Sequence, residues 1–267
     1  MSDILDTIAA NARRRVAARK EGIPLGELRE RADALLRGDF RFENALKTGG
    51  DIAFICECKK ASPSKGLIAP DYDCAETAKS YKRGGAAAIS VLTEPDFFQG
   101  GDADLQAVRA AVNLPVLRKD FTVDMYQIYE SKVLGADAVL LICAILDGAF
   151  LREALALCDR LGLSALVETH TAGEIDTALA AGARIVGVNN RDLKTFNVDL
   201  GICMALRWRV PEGVLFVAES GITSAEDIRR LREHRVNAAL VGETLMRAGD
   251  PAGALEALRG AGGTRED

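Results

Sequence analysis

Residues 134–142 read "LGADAVLLI": the close of an amphipathic segment, a glycine, and then an apolar run of the length of one buried strand. The phrase returns as "RGGAAAIS" at 83–90 and as "AGARIVGV" at 181–188, a weak internal repeat of helix, glycine, alanine and strand. Outward from these three stretches the apolar runs number eight: "IAFICEC", "AAAISVLT", "PVLRKD", "AVLLICA", "SALVE", "RIVGVNN", "VLFVAES" and "AALVGE". Each is followed by a helix-like segment, over 72–83, 102–112, 124–134, 147–161, 171–181, 199–207, 223–234 and 251–259. Strands that alternate with helices build a parallel sheet, and eight such units close into a (β/α)₈ TIM-type barrel of the α/β class. An open doubly wound sheet is the alternative, but it has fewer strands and a glycine-rich nucleotide turn after the first one. Here that turn is "KKASPSKG".

Residues 1 to about 48 stand outside the repeat. They hold two amphipathic segments, "ILDTIAANARRRVAARK" and "LGELRERADALL", and a linker, "RGDFRFENALKTGG". They are too short for a core of their own, so the expectation is one domain over 1–267, with 1–48 as a helical extension packed on the barrel. The terminal "GAGGTRED" is expected to fray.

Of the 267 residues 48% are hydrophobic, ample for a large core, and the formal charge of -5 with no basic stripe argues against a nucleic-acid partner. The one basic cluster, "ARRRVAARK", reads as the solvated face of an amphipathic helix. No apolar run reaches the roughly 18 to 20 residues of a membrane span, and the start lacks a secretory pattern, so a cytoplasmic protein is expected. The six cysteines (56, 58, 74, 143, 158 and 203) are scattered and read as reduced packing residues. Cys56-x-Cys58 has no second pair, and only His170 and His234 offer imidazoles, so no metal and no cofactor are assigned.

The strands stop being apolar at one end. In "FICECKKASPSKG", residues 54–66, Glu57 and Lys59 alternate with Cys56 and Cys58. Side chains at i and i+2 share a face of a strand and stand about 6.5 to 7 Å apart along it, so the charged pair faces the barrel mouth and the cysteines face the helices. A lone Glu-x-Lys is usually a surface ion pair. Here, however, strand three ends in Arg118-Lys119-Asp120, strand five in Glu168, strand six in Asn189-Asn190-Arg191 and strand seven in Glu219-Ser220. Polar ends on so many strands converge on one mouth and point to a reaction site. The loops after strands seven and eight, "ESGITS" and "VGETLM", fit an anion site of backbone N–H groups in which Ser220, Gly221, Gly242 and Glu243 take part. Ser62 or Lys59 closes it from the first loop, and Glu243 has to turn its carboxylate away. Either glycine alone is equally well read as serving a tight turn.

At these residues the sequence resembles the indole-3-glycerol phosphate synthases, ring-closing enzymes of tryptophan biosynthesis. The resemblance runs from the extension to the eighth strand through "ECKKASPSKG", "LTEPDFFQGG", "LRKDF", "GADAVLLI", "LVETH", "GVNNRDLKTF", "ESGI" and "LVGETLMR". It implies a metal-free conversion of 1-(2-carboxyphenylamino)-1-deoxyribulose 5-phosphate to indole-3-glycerol phosphate, carbon dioxide and water. It also implies that Lys119 is the general acid on the attacked ketone, Lys59 holds or protonates substrate, and Glu168 is the base of the dehydration. Glu57, Asn189 and Glu219 position these groups, Phe98 and Phe121 form an aromatic pocket, and Arg191 meets the substrate carboxylate. Which lysine acts at which proton transfer stays open. Cys58 departs from a more usual aliphatic residue on the outward face. The partner implied is a small phosphorylated molecule, with other tryptophan-pathway enzymes as further candidates, and no nucleic acid or membrane. Two rivals remain: another phosphate-binding barrel such as phosphoribosylanthranilate isomerase, expected to use a Cys/Asp pair, and a silent sugar-phosphate-binding barrel.

Overall fold

A computed structural model describes residues 4–49, 51–70, 72–192 and 195–260. Of "GAGGTRED" all but Gly260 therefore lies outside the described residues. Strands β1 (Ala53–Cys58), β2 (Ala88–Leu92), β3 (Val116–Lys119), β4 (Ala138–Ile142), β5 (Ser164–Thr169), β6 (Ile185–Asn189), β7 (Leu215–Glu219) and β8 (Ala238–Val241) close into a parallel barrel in sequence order. β8 returns to β1 in the register Ala53 to Ala238 through Cys56 to Val241.

The helices are α1 (Ile4–Gly22), α2 (Leu25–Asp33), α3 (Arg41–Ala45), α4 (Cys74–Arg83), α5 (Asp102–Ala111), α6 (Met125–Leu134), α7 (Gly148–Leu161), α8 (Ala172–Ala180), α9 (Gly201–Leu206), α10 (Ala225–Glu233), α11 (Glu243–Met246) and α12 (Pro251–Arg259). The glycines that close the repeat end helices as expected: Gly135 and Gly162 adopt left-handed φ values of 87° and 71° at the ends of α6 and α7, where a side chain would be strained. No described helix is long and apolar enough to cross a membrane.

Two apolar layers follow from the alternation of side chains along each strand. Outward residues such as Phe54, Cys56, Ile89, Val139, Val167 and Phe216 pack against the helices, with Tyr81 and Tyr126 among the largest buried side chains there. Inward residues, among them Ile55, Leu117, Leu140, Leu166, Val217 and Leu240, fill the barrel. Cys56 and Cys58 do face the helices, as the spacing predicts.

The N-terminal segments divide their work between the two ends of the barrel. Leu5 and Ile8 of α1 lie over the mouth, at the C-terminal ends of the strands. The linker contains α3, and its Phe42 and Leu46 are fully buried in the barrel's inner cluster. Polar contacts fix α3 at the opposite end: the Glu43 N–H donates to Ser164 Oγ at 3.1 Å, and the Glu43 carboxylate pairs with Arg184 at 2.7 Å. Both partners stand at the starts of strands, so α3 closes the barrel floor. Phe40 takes a left-handed φ of 57° to begin α3, and its ring lies under the Arg37 and Arg184 guanidiniums at 5.2 and 4.7 Å.

In the basic stretch of α1, Arg13 and Arg14 are exposed as the solvated reading expects, whereas Arg15, Arg19 and Lys20 form a docking face. Arg15 pairs with Glu94 at 2.9 Å and with Asp96 at 2.7 Å; Arg19 pairs with Asp102 at 2.9 Å and with Glu130; Lys20 pairs with Asp124 at 2.6 Å. Periodicity marks these as polar positions of a helix, but the acidic partners come from loops and helices some 80 to 110 residues later.

Because Phe42 fills the floor with no other group able to replace it, Phe42→Ala should lower unfolding stability by about 3 to 5 kcal/mol. Urea denaturation measures this. A loss below 1 kcal/mol would mean that the floor is not a packed part of the core.

Candidate active site

The inward parity that places Ile55, Leu117, Leu166 and Val217 in the barrel carries Glu57, Lys119, Glu168 and Glu219 to the mouth, two residues later on each strand. Lys59 follows Glu57 by the same step, and Asn189 ends β6 on the same face. These side chains line a cavity of about 610 Å³. Every residue singled out from the sequence borders it: Glu57, Lys59, Ser62, Phe98, Lys119, Phe121, Glu168, Asn189, Arg191, Glu219, Ser220, Gly221, Gly242 and Glu243.

Two neighbours counted among the polar strand ends are not part of it. Arg118 points outward and is buried among Asp102, Asp120 and Glu130 at 2.8, 3.5 and 2.8 Å, while Asn190 donates to the carbonyls of Glu219 and Ser220. A one-residue step on a strand reverses the face, and this is why Lys119 and Arg118 part company.

The charged groups form two linked sets. Lys59 Nζ lies 2.6 Å from Glu57 Oε2. Lys119 Nζ stands 3.4 Å from Glu168 Oε2 and 3.7 Å from Glu219 Oε2, and Asn189 Nδ2 donates to Glu168 Oε1 at 3.3 Å. Burial by itself would push the Lys119 ammonium down, but the carboxylates of Glu168, Glu219 and Glu57 outweigh it and hold the group above its ordinary value. Burial would raise Glu168 in turn, and Lys119, His170 and Asn189 keep it below the usual carboxylate value. Glu219 goes the other way. Burial, then the negative charge of Glu168, raise it to about 8, and its Oε1 is buried without a hydrogen-bond partner. At neutral pH the site therefore holds an ammonium, a carboxylate and a neutral carboxyl within reach of one another.

Two glycines make room for this. A Cβ at Gly187 would collide with Glu219 Oε1, and one at Gly242 with Glu57 Oε2. Gly242 thus serves the floor of the mouth as well as any anion. Ser220 and Gly221 are consecutive left-handed residues, with φ of 66° and 82°, and form a tight turn whose backbone borders the cavity. α11, absent from the sequence reading, starts at Glu243, so its first N–H groups have no carbonyl inside the helix to bond. Thr244 Oγ1 donates to the Ile222 carbonyl at 2.7 Å and ties the two loops together. The Glu243 carboxylate turns to Arg247, Lys65 and Arg191, at 3.2, 3.5 and 3.7 Å.

On the other side, the rings of Phe98 and Phe121 lie 6.3 Å apart at a 40° tilt. Buried Glu94 holds that loop by accepting from the N–H groups of Phe97 and Phe98, at 2.7 and 3.2 Å. Sequence reasoning missed Glu94, the α1 residues Ile4, Leu5 and Ile8 at the cavity's roof, and His170. Only His170 had a legible signal: it lies two residues beyond Glu168 and so continues its face.

A sequence model of the family described as indole-3-glycerol phosphate synthase matches residues 5–258. The chain belongs to the indole-3-glycerol phosphate synthase family. Among its relatives, the indole-3-glycerol phosphate synthase of Ruminiclostridium cellulolyticum is 52% identical over 258 residues, 96% of this chain and 99% of the relative. That of Aromatoleum aromaticum is 50% identical over 263 residues, 97% of this chain and 100% of the relative. Among solved structures, a thiamine phosphate pyrophosphorylase from Pyrococcus furiosus superposes with a TM-score of 0.59 at 18% identity, covering 82% of this chain and 96% of that one, which shows the shared fold. As a member of that family the chain is a lyase of tryptophan biosynthesis.

The raised Glu219 carboxyl has a consequence for stability. The fold favours its protonated form, so its contribution is complete below its ordinary value near 4.5 and is lost as pH rises through about 8. Glu219→Gln, neutral throughout, should therefore gain on the parent by a few kcal/mol between about pH 5 and pH 8.5. Urea midpoints across that range check it. A difference independent of pH would show that Glu219 ionises normally.

Proposed function

We propose that this chain converts 1-(2-carboxyphenylamino)-1-deoxyribulose 5-phosphate to indole-3-glycerol phosphate, releasing carbon dioxide and water. The observation that carries the reading is the Lys119 ammonium held between Glu168 and Glu219 on the inner face of the mouth, between an aromatic pair and an anion-binding end. Phe98 and Phe121 receive the aminobenzoate ring, and Arg191 takes its carboxylate. The phosphate sits at the loops of Ser220, Gly221, Gly242 and Glu243, with Ser62 closing the site.

As the ring carbon attacks the ketone, negative charge develops on the ketone oxygen. Lys119 stabilises it and then donates its proton as general acid. Loss of carbon dioxide restores the aromatic ring. Glu168 then removes a proton from the ring CH2, and those electrons form the new double bond as the hydroxyl leaves as water. The leaving oxygen needs a proton as well, and Lys59, beside Glu57, is placed to give it. Glu57, Asn189 and Glu219 hold these groups in position. A carboxylate is replaced by neutral carbon dioxide, so the sum takes up one proton per turnover from water.

An isomerase with a cysteine at the mouth fits less well, because no cysteine borders the cavity among the described residues. We take residues 1–267 as one functional unit, since α1 roofs the same cavity that the strand ends line.

Indole fluorescence on incubation with the substrate tests the activity. Lys119→Met should lower kcat by about 10² to 10⁴-fold with substrate affinity little changed, whereas Lys59→Met should impair both. Single-turnover kinetics with direct binding measurements separate the two. If Lys119→Met chiefly weakened binding while the chemical step ran at its normal rate, Lys119 would not be the acid.

A further inference from the structure

His170 lies against Glu168 at the edge of the mouth, and the proposed steps have no use for it. It follows β5 at the start of the loop to α8, and its two ring nitrogens are buried without a hydrogen-bond partner. Both nevertheless face carboxylates. Nε2 lies 3.7 Å from Glu168 Oε1, and Nδ1 lies 3.5 Å from Glu174 Oε2. Those separations are ion-pair distances, too long for hydrogen bonds.

Glu174 is itself fixed. Its Oε2 accepts the backbone N–H of His170 at 2.6 Å, while its own N–H donates to Thr171 Oγ1 at 3.2 Å, so the pair closes the first turn of α8. The charged and titratable groups around the ring are Glu168 on β5, Glu174 on α8 and Glu219 on β7. Lys119 on β3 stands beyond them at the other oxygen of Glu168, and Cys143 donates to the Glu174 carbonyl at 3.7 Å. Three carboxyl groups therefore surround the imidazole, and the nearest ammonium is screened from it by Glu168.

We infer that His170 is a positioning residue whose imidazolium, clamped by Glu174, holds Glu168 in place as a carboxylate at the oxygen that Lys119 does not touch. The inference rests on the proposed role of Glu168 as base. Its physical need arises in mid-cycle. Once the Lys119 N–H bond has broken and the proton has passed to the former ketone oxygen, Lys119 is neutral, and Glu168 has lost its principal counter-charge. A buried carboxylate left in that way is driven to protonate or to turn away. A second cation on its other oxygen keeps it ionised and aimed until it takes the ring CH2 proton. Burial lowers the imidazolium, but Glu174 and Glu168 outweigh burial and raise it above the ordinary histidine value, in keeping with a charged ring at neutral pH.

The sequence holds only two histidines, so imidazole NMR of the full chain reads His170 directly, with His234→Asn giving the assignment. His170 should titrate above the ordinary histidine value, and Glu174→Gln and Glu168→Gln should each move it down. In kinetics, His170→Gln should lower kcat about tenfold with KM nearly unchanged. Glu174→Gln, which leaves the ring in place, should shift the alkaline limb of the kcat profile to lower pH by the same amount as the NMR shift.

A His170 that titrates at or below the ordinary histidine value overturns the inference. So does a His170→Gln enzyme with unchanged kcat, or a Glu174→Gln profile that keeps its alkaline limb while the ring's titration moves. If His170→Gln fails to fold, Glu174→Gln carries the decision. Failure of the underlying reading looks different: Glu168→Gln would then keep its turnover, whatever the imidazole does.

Discussion

Lys119 is a single ammonium inside a ring of carboxyl groups, and the mouth is built around that imbalance. Glu57, Glu168 and Glu219 are all nearly inaccessible to water, and three such groups cannot all be ionised side by side. The ammonium, aided by Lys59 on Glu57, lets two of them keep their charge, and the third, Glu219, remains protonated. Two glycines, Gly187 on β6 and Gly242 just after β8, leave the volume in which Glu219 and Glu57 sit. The arrangement places an ammonium, a carboxylate and a neutral carboxyl side by side without a change in the barrel's repeating geometry.

The remainder of the molecule holds that space at a fixed shape. Arg118, one residue before Lys119, is anchored outside the barrel by Asp102, Asp120 and Glu130, and Arg19 of α1 shares two of those carboxylates. The strand that carries the ammonium is thus pinned on its outer face by the same ionic cluster that seats the roof. Arg15 reaches Glu94, which in turn holds the backbone of Phe98, so the roof and the aromatic side of the cavity move together. Buried ion clusters of this kind contribute little net stability compared with apolar packing. Their contribution here is register.

Much of this was legible in the chain, because a barrel strand obeys a period of two. From the parity of Glu57 and Lys59 against Cys56 and Cys58 the mouth follows, and the glycine that recurs after several helices helps to give the order of the elements. What escaped is whatever depends on contacts far apart in sequence. Nothing local distinguishes the Arg15 and Arg19 face from a solvated one, since the acidic groups that neutralise it lie beyond residue 93. Phe42 and Leu46 occur in a stretch rich in charge and glycine, and only the open floor of a barrel explains their burial. Parity also names Arg118 as outward, a point that is lost when "LRKDF" is read as one polar end.

The roof and floor belong to one continuous segment, and this bears on how the chain is made. Residues 4–46 run from the mouth along the outside, where Asp33 pairs with Arg160 and the Gly38 N–H bonds the Leu161 carbonyl, to the floor. They leave the ribosome before their partners, which are Glu94 through Asp124 for the roof, and Ser164 and Arg184 for the floor. The roof partners are complete once residue 124 is made, and the floor partners only once residue 184 is made, more than half of the way along the chain. Until those partners are made, the segment's apolar side chains, Leu5, Ile8 and Phe42 included, have nothing to pack against.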